Sequence, residues 1–358
     1  MVTAQAPGKL YIAGEYAVVE TGYPAIIVAL NQFVTVTVEQ TENYGSIVSK
    51  QYREDSILWQ RQGDAMVFDN RDNPFHYILS AIKLTEQYAR ELGKPLALYD
   101  LFVDSDLDSE SGKKYGLGSS AAVTVATVKA LNEFYELQMT KDEIYKLSAI
   151  AHLEIQKNGS LGDIAASVYG GWIAFTTFDK TWLAAEMRLH SLAELIRMPW
   201  PELSIEELTA PNQLQLLIGW TGSPASTSRL VDKIAVACES KKDEYSQFLK
   251  KSRAIVSKMI EGFHAHSLDV IQQEIRSSRK ALESLAELSG VEIETNTLIK
   301  LADLAEKSGA AGKSSGAGGG DCGIAIIDRS ADASMLAKAW ASHGIEVLDF
   351  KVHDFSTV

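Results

Sequence analysis

The chain has 358 residues, more than one hydrophobic core usually supports, so we expect two packed domains. Hydrophobic residues make up 46% of it and charged residues 23%, the balance of an ordinary globular protein. Its net charge of −13 argues against broad nucleic-acid binding, which requires a basic face, although local lysines and helix N-termini can still bind an anion.

The compartment is indicated by three features of the sequence. Its two cysteines, Cys238 and Cys322, are too few and too far apart for a disulfide framework, which favours a reducing environment. The first residues lack the apolar core of a signal peptide, and no run approaches the ~20 apolar residues of a membrane span. We therefore expect a cytoplasmic protein with no membrane or nucleic-acid partner, and the sequence leaves its oligomeric state open.

Strands dominate the first part of the chain, and helices follow. Apolar or alternating runs indicate strands, and apolar spacings of three and four indicate helices. The predicted elements are strands at 9–13, 25–30 and 33–38, hairpins within 43–72, a helix at 75–92, a strand at 96–103, helices from 120 and 140, and a strand at 172–178. Thr140 and Glu143 have the spacing of a capping box at the start of their helix.

The stretch 179–211, rich in Pro, Trp and Leu, is the best candidate for a connection between domains. After it the predicted elements are a strand at 214–221, long helices over 224–288, a helix near 298–307, a strand at 323–328, a helix at 331–342 and a strand at 344–352. Strands and helices mix without strict βαβ repetition, so the sequence predicts an α+β fold with domains at 1–185 and 205–358.

The loop YGLGSSAA, residues 115–122, stands directly before a predicted helix. Glycines let a ligand approach the backbone, and the N–H groups of the loop and helix start attract anions, phosphate above all. The alternative is a plain glycine turn with Ser120 as the helix N-cap. The residues alone leave both interpretations open.

Two further loops have related chemistry. KSSGAGGGDC, residues 313–322, lies between a predicted helix and a strand, and its apolar flanks disfavour a flexible linker. It is not a Walker A loop, because that spacing requires glycine where this chain has Lys307, and no GxGxxG opens a helix after a strand. In the segment 6–15, Lys9 is either a solvated strand end or a charge that stabilises phosphoryl transfer.

Together the stretches PGKLYIAGEYAVV, YGLGSSAAVTVA and SSGAGGGDCGIAI resemble the three motifs of the GHMP kinase superfamily, in the family's order. The resemblance implies an N-terminal α+β domain with a left-handed βαβ crossover and a C-terminal ferredoxin-like domain. It implies ATP and Mg²⁺ as cofactors, with the ATP phosphates over the second motif and Ser120 as a metal ligand. The implied ATP-binding residues are Gly116, Leu117, Gly118, Ser119, Ser120, Ala121 and Ala122.

The resemblance also implies two catalytic residues, Lys9 and Asp163. Asp163 lies in NGSLGDIAASVYGG, which is similar to the segment of mevalonate kinases that carries the catalytic aspartate. On its residues alone, Asp163 is equally suited to be a helix N-cap. One departure concerns the metal: where mevalonate kinases have a magnesium-holding glutamate, eleven residues before the aspartate, this chain has His152, and Glu154 falls on another helix face.

Within the superfamily, GEYAVVETGYPAI most resembles the phosphomevalonate kinase branch, which converts ATP and phosphomevalonate to ADP and diphosphomevalonate in the mevalonate pathway of isoprenoid synthesis. Mevalonate kinase, diphosphomevalonate decarboxylase and a non-catalytic metabolite sensor are the alternatives. The segment 221–227, with Arg229 nearby, either holds the substrate's carboxylate or phosphate or caps a helix. The implied substrate-binding residues are Gly14, Glu15, Tyr16, Asn158, Ser160, Ser223, Ser226, Gly318 and Gly319.

Overall fold

The strands of the chain form two sheets in the computed structural model, which describes residues 1–51, 55–68, 73–108, 114–223 and 227–353. The first sheet contains Val2–Ala13 (β1), Pro24–Gln40 (β2), Gly45–Ser49 (β3), Ile57–Gln62 (β4), Ala65–Phe68 (β5), Tyr99–Ser105 (β6), Trp172–Thr176 (β7) and Ser204–Leu208 (β8). The second contains Leu214–Trp220 (β9), Ala311–Ser314 (β10), Cys322–Asp328 (β11) and Glu346–Leu348 (β12).

Helices account for most of the remaining described chain. They are His76–Glu91 (α1), Ser119–Phe134 (α2), Lys141–Ile155 (α3), Gly162–Tyr169 (α4), Lys180–Glu186 (α5), Leu192–Arg197 (α6), Thr227–Cys238 (α7), Lys242–His264 (α8), Leu268–Ser289 (α9), Asn296–Lys307 (α10) and Ala333–Ala341 (α11). The capping box predicted at the start of α3 is present, since Thr140 and Glu143 each accept from the other's backbone N–H.

The first sheet has the order β5-β4-β3-β6-β2-β7-β8, with β1 antiparallel to β2 along nearly its whole length. The two strands predicted at 25–30 and 33–38 form one strand, β2, and β1 pairs with both halves, with a register shift between Pro7 and Lys9 opposite the residues that join them. β3 and β6 are parallel, and the chain between them contains β4, β5 and α1. This connection is the expected crossover between parallel strands, and the left-handed sense of the crossover stays a prediction. Helices α2 and α4 pack on β1 and β2 and bury the apolar face.

The second sheet has the order β10-β11-β9-β12, with antiparallel neighbours throughout. Helices α7–α10 connect β9 to β10, and α11 connects β11 to β12. This βαββαβ order is the ferredoxin-like arrangement that the sequence motifs implied, and the two domains together have the mixed α+β architecture of that family.

Most of the stretch 179–211, which the sequence suggested as a connection between domains, packs with the first sheet. It forms α5, α6 and β8, and β8 pairs antiparallel with β7. Several of its apolar residues, including Trp200 and Ile196, are buried in the hydrophobic core. Because the predicted boundaries at 185 and 205 separate β8 from its partner, we propose instead that the domains meet within 209–213.

The glycine-rich loop near the end of the chain also differs from its prediction. Residues 311–314 are a strand, β10, so the loop connects two strands of a hairpin and does not follow a helix. Within the described ranges, no helix is both long and apolar enough to cross a bilayer.

Candidate active site

The three predicted loops meet at one cleft between the domains, with a volume of about 400 Å³. Its first-domain walls include Lys9 on β1, Ser120 on α2 and Asp163 on α4. The second domain contributes Ser315, Gly316, Ala317, Asp321 and Cys322 from the β10–β11 hairpin, and Ser228 and Val231 from α7. Segments more than 300 residues apart in sequence thus form one polar pocket.

The N-terminus of α2 opens toward this cleft. Its N-cap is Gly118, with a φ of +79°, and no side chain in the described part of the chain caps its first turn. Ser119 and Ser120 lie in that turn and line the cleft, so Ser120 is not the N-cap. Uncapped N–H groups and two hydroxyls at the positive end of a helix fit a phosphate group.

Not every residue of the predicted phosphate loop faces the cleft. Gly116 and Gly118 line it, whereas Leu117, Ala121 and Ala122 are buried in the core behind it. The Leu117 carbonyl accepts the backbone N–H of Lys9 at 2.9 Å, which fixes the loop to β1.

Lys9 reaches the loop from β1 and is buried, with 9% of its surface exposed. Its Nζ donates to the Gly116 carbonyl at 3.5 Å and lies 5.5 Å from the Tyr11 ring centre. Burial lowers the pKa of Lys9, and the negative charges of Asp163 and Asp321 oppose that shift. A poorly hydrated ammonium beside an anion site is well placed to stabilise phosphate charge.

Asp163 lies in the first turn of α4 but is not its N-cap, which is Leu161 at a φ of +67°. Asp163 Oδ1 accepts the backbone N–H of Ile164 at 3.1 Å. No lysine, arginine or histidine of the described residues lies within 4 Å of its carboxylate oxygens. The capping alternative is therefore not realised, and the carboxylate is available to a ligand.

His152 adjoins the same corner of the cleft. Its Nε2 is 3.3 Å from Ser120 Oγ, and its ring stacks on Tyr77 at 4.9 Å. Burial lowers the pKa of His152, and the carboxylate of Asp163 opposes that shift, so an uncharged ring is favoured. Of the described residues, none form a cluster of three or more metal-binding acidic, histidine or cysteine side chains. Ser120 Oγ, on the cleft wall beside His152, is a hydroxyl oxygen that could contact a metal ion.

Glu15 and Tyr16 connect the two domains, whereas Gly14 packs within the first. Gly14 lies off the cleft wall, and its α-carbon packs on the backbone of Pro24. Glu15 lines the cleft but forms a buried ion pair with Lys313 of β10. Tyr16 Oη donates to the Ala317 carbonyl at 2.5 Å. The geometry thus assigns Glu15 and Tyr16 an interdomain role that the sequence did not suggest.

Asn158 and Ser160 line the cleft, and their side chains are partly engaged. Asn158 Nδ2 donates to Asp232 Oδ1 of α7 at 2.9 Å. Ser160 Oγ is 2.7 Å from Tyr11 Oη and accepts the backbone N–H of Gly162. A substrate at this wall meets a preorganised hydrogen-bond network.

Besides Gly14, three further predicted substrate residues lie away from the cleft wall. Gly318 and Gly319 pack against Ile293, whose carbonyl accepts the Gly319 N–H at 2.7 Å. The exposed Ser223 contributes its carbonyl to the hairpin, not its hydroxyl to the cleft. Gly316 and Ala317 line the cleft instead, and the substrate roles of Gly318, Gly319 and Ser223 stay predictions without a contact at the cleft wall. Ser226 lies outside the described residues, and Arg229 is exposed and off the cleft wall.

Sequence reasoning missed several groups on or beside the cleft. Tyr11, Tyr77 and Asp321 line it, and Lys313 supports Glu15 from behind. The available sequence signals are weak: an aspartate that ends a glycine run, and a lysine in a stretch rich in glycine and serine.

Comparison with known proteins agrees with this arrangement. The family model of the GHMP kinases N terminal domain matches residues 76–171, and that of the GHMP kinases C terminal matches residues 259–346. A phosphomevalonate kinase of Streptomyces sp. (strain CL190) is 35% identical over 96% of this chain and 95% of its own.

Two solved structures are similar over almost the whole chain. The Lin0012 protein of Listeria innocua is 38% identical, with a TM-score of 0.92 and coverage of 98% of this chain and 97% of its own. Streptococcus pneumoniae phosphomevalonate kinase, in complex with phosphomevalonate and AMPPNP, is 30% identical, with a TM-score of 0.84 and coverage of 98% and 100%.

Proposed function

The chain belongs to the GHMP kinase family, and we propose that it transfers the γ-phosphoryl group of ATP to phosphomevalonate, giving diphosphomevalonate. The observation that carries the proposal is the convergence of Lys9, the uncapped start of α2 and Asp163 on one cleft. The choice of acceptor is supported by the similarity to two phosphomevalonate kinases, one of them solved with phosphomevalonate. This reaction belongs to the mevalonate route to isoprenoids.

In the proposed reaction the backbone N–H groups of Gly118–Ser120 bind the ATP phosphates. Lys9 lies where it offsets the charge that accumulates when two phosphates approach each other. Mg²⁺, when bound with the nucleotide, neutralises phosphate charge, and Ser120 is the residue that would contact it.

Asp163 is proposed to orient the acceptor phosphate. A phosphate monoester has its second pKa near 6, so its oxygen is already ionised at neutral pH. A strong general base is therefore needed less than for a hydroxyl acceptor. The role of Asp163 is then mainly positional.

Other activities on this fold remain testable alternatives: mevalonate kinase, diphosphomevalonate decarboxylase and a non-catalytic sensor. The sensor is disfavoured because Lys9, Ser120 and Asp163 all line the same cleft. The two other enzymes differ from the proposal in acceptor or in product, so a substrate panel separates them.

The test offers mevalonate, phosphomevalonate and diphosphomevalonate separately with Mg-ATP and follows ADP and CO₂. ADP without CO₂, from phosphomevalonate alone, is the expected result. ADP from mevalonate alone or CO₂ from diphosphomevalonate would replace the proposal with one of the other enzymes, and no ADP would favour the sensor. Lys9→Met should abolish turnover, and the matched control is Lys50→Met, at an exposed lysine that pairs with Asp104.

A further inference from the structure

Asp321 has a backbone conformation that glycine would adopt more easily. It ends the run Gly318–Gly320 with a φ of +50°, in the left-handed region that is unfavourable for most residues with a Cβ atom. Its N–H donates to the Ser223 carbonyl at 2.8 Å, and its carbonyl accepts from Thr221 at 2.9 Å. A glycine would make both bonds, so the feature that glycine cannot supply is the carboxylate.

The Asp321 side chain lies against the phosphate loop of the other domain. A Cβ atom on Gly116 would be only 2.6 Å from Asp321 Cγ, so the carboxyl group packs on the Gly116 α-carbon. The neighbouring Cys322 thiol donates to the Tyr115 carbonyl at 3.2 Å. The hairpin is thereby held against 115–116 by two adjacent residues.

Lys9 meets the same loop residue from the first domain, since its Nζ donates to the Gly116 carbonyl. The groups that act electrostatically on its ammonium are Asp163 of α4, Asp321 of the hairpin and Cys322 of β11, while the Tyr11 ring covers one side. Asp163 belongs to the first domain and Asp321 to the second. One lysine therefore has a counter-charge from each domain.

We propose that Asp321 is a positioning residue for Lys9, because its carboxylate attracts the Lys9 ammonium toward the phosphate loop across the domain interface. This inference deepens the proposed phosphoryl transfer and rests on it for its catalytic consequence. Burial in the assembled cleft lowers the pKa of Lys9, and Asp321 is the carboxylate of the second domain that opposes this shift.

The test measures Lys9 directly in the full-length chain. Protein labelled with ¹³C-lysine is titrated by NMR, and the Lys9 signal is assigned with a Lys9→Arg variant. Asp321→Asn removes the charge, and asparagine tolerates a positive φ as well as aspartate does. The titration midpoint of Lys9 should move to lower pH. Loss of a nearby opposite charge predicts a shift on the order of one pH unit.

Two variants separate charge from backbone effects. Asp321→Gly also removes the charge but relaxes the backbone, so it should shift the Lys9 midpoint as Asp321→Asn does. Asp328→Asn removes a partly exposed carboxylate at the far end of β11, the strand that follows Asp321, and should leave the Lys9 midpoint unchanged. An unchanged Lys9 midpoint in folded Asp321→Asn would overturn the proposal, as would a shift in Asp321→Gly alone, which would indicate a backbone effect.

A kinetic readout connects the result to catalysis. If Asp321 positions Lys9, Asp321→Asn should lower kcat at high pH more than at neutral pH, because Lys9 loses its proton earlier. The titration itself needs no substrate. Failure of wild-type protein to phosphorylate phosphomevalonate would refute the proposed function while leaving the role of Asp321 to be decided by the NMR result.

Discussion

Lys313→Met is expected to be among the most destabilising substitutions near the cleft. The side chains of Lys313 and Glu15 are 0% and 2% exposed, and they pair across the domain interface. Glu15 Oε2 already lacks a partner among the described residues, so loss of the ammonium leaves a buried carboxylate with neither oxygen paired to a cation. Removing one member of a buried pair costs about 3–5 kcal/mol of unfolding free energy.

The assay is urea unfolding followed by circular dichroism and tryptophan fluorescence, because coincident curves are needed before a free energy is assigned. The double variant Glu15→Met, Lys313→Met should recover much of the loss, since an apolar pair of similar volume leaves no buried charge. The control Lys50→Met, at an exposed pair, should cost less than about 1 kcal/mol. A cost below about 1 kcal/mol for Lys313→Met, or strictly additive effects in the double variant, would refute this reasoning.

Three further predictions concern the cleft. Asp163→Asn should reduce kcat by less than about 100-fold, the low end for loss of an acid–base group, because the acceptor oxygen is already ionised; near-total loss with the fold intact would contradict the positional role. Gly116→Ala should weaken ATP binding in calorimetry, because the new Cβ atom would lie 2.6 Å from Asp321 Cγ. Gly309→Ala is the control: Gly309 has a φ of +78°, close to that of Gly116, but open space around it, so its substitution should change stability alone. Burial lowers the pKa of Lys9, so between that lowered value and 10.5 the unfolded chain binds more protons than the folded chain, and the free energy of unfolding rises with pH. Lys9→Met should flatten this rise in unfolding experiments at several pH values. An unchanged slope would count against a buried ammonium.

The parts of the site that could be predicted from sequence are those with local signatures. The Gly116–Ser120 loop is indicated by glycines before a predicted helix, and the start of α3 is indicated by its capping box. Lys9 lies within the first motif, PGKLYIAGEYAVV, where phosphoryl transfer requires a cation. Each signal lies within about ten residues, so a linear pattern contains all of it.

The features that could not be predicted depend on partners far away in the chain. Glu15 has the sequence context of a ligand residue, but Lys313, 298 residues later, determines its role. Whether Gly318 faces the cleft or Ile293 depends on how the hairpin sits on 291–293, which no local spacing encodes. β8 was not predicted, because a short edge strand with two adjacent glutamates, Glu206 and Glu207, has the composition of a linker.

The Glu15–Lys313 pair also affects the order in which the chain folds during synthesis. During synthesis Glu15 leaves the ribosome 298 residues before its partner, which at about 5–20 residues per second is a delay of roughly 15–60 s. In that interval the nascent first domain either keeps Glu15 hydrated or buries a carboxylate without its cation. We therefore expect the phosphate loop side of the cleft to complete its packing only after β10 has emerged, so that the last segments translated finish a site begun by the first.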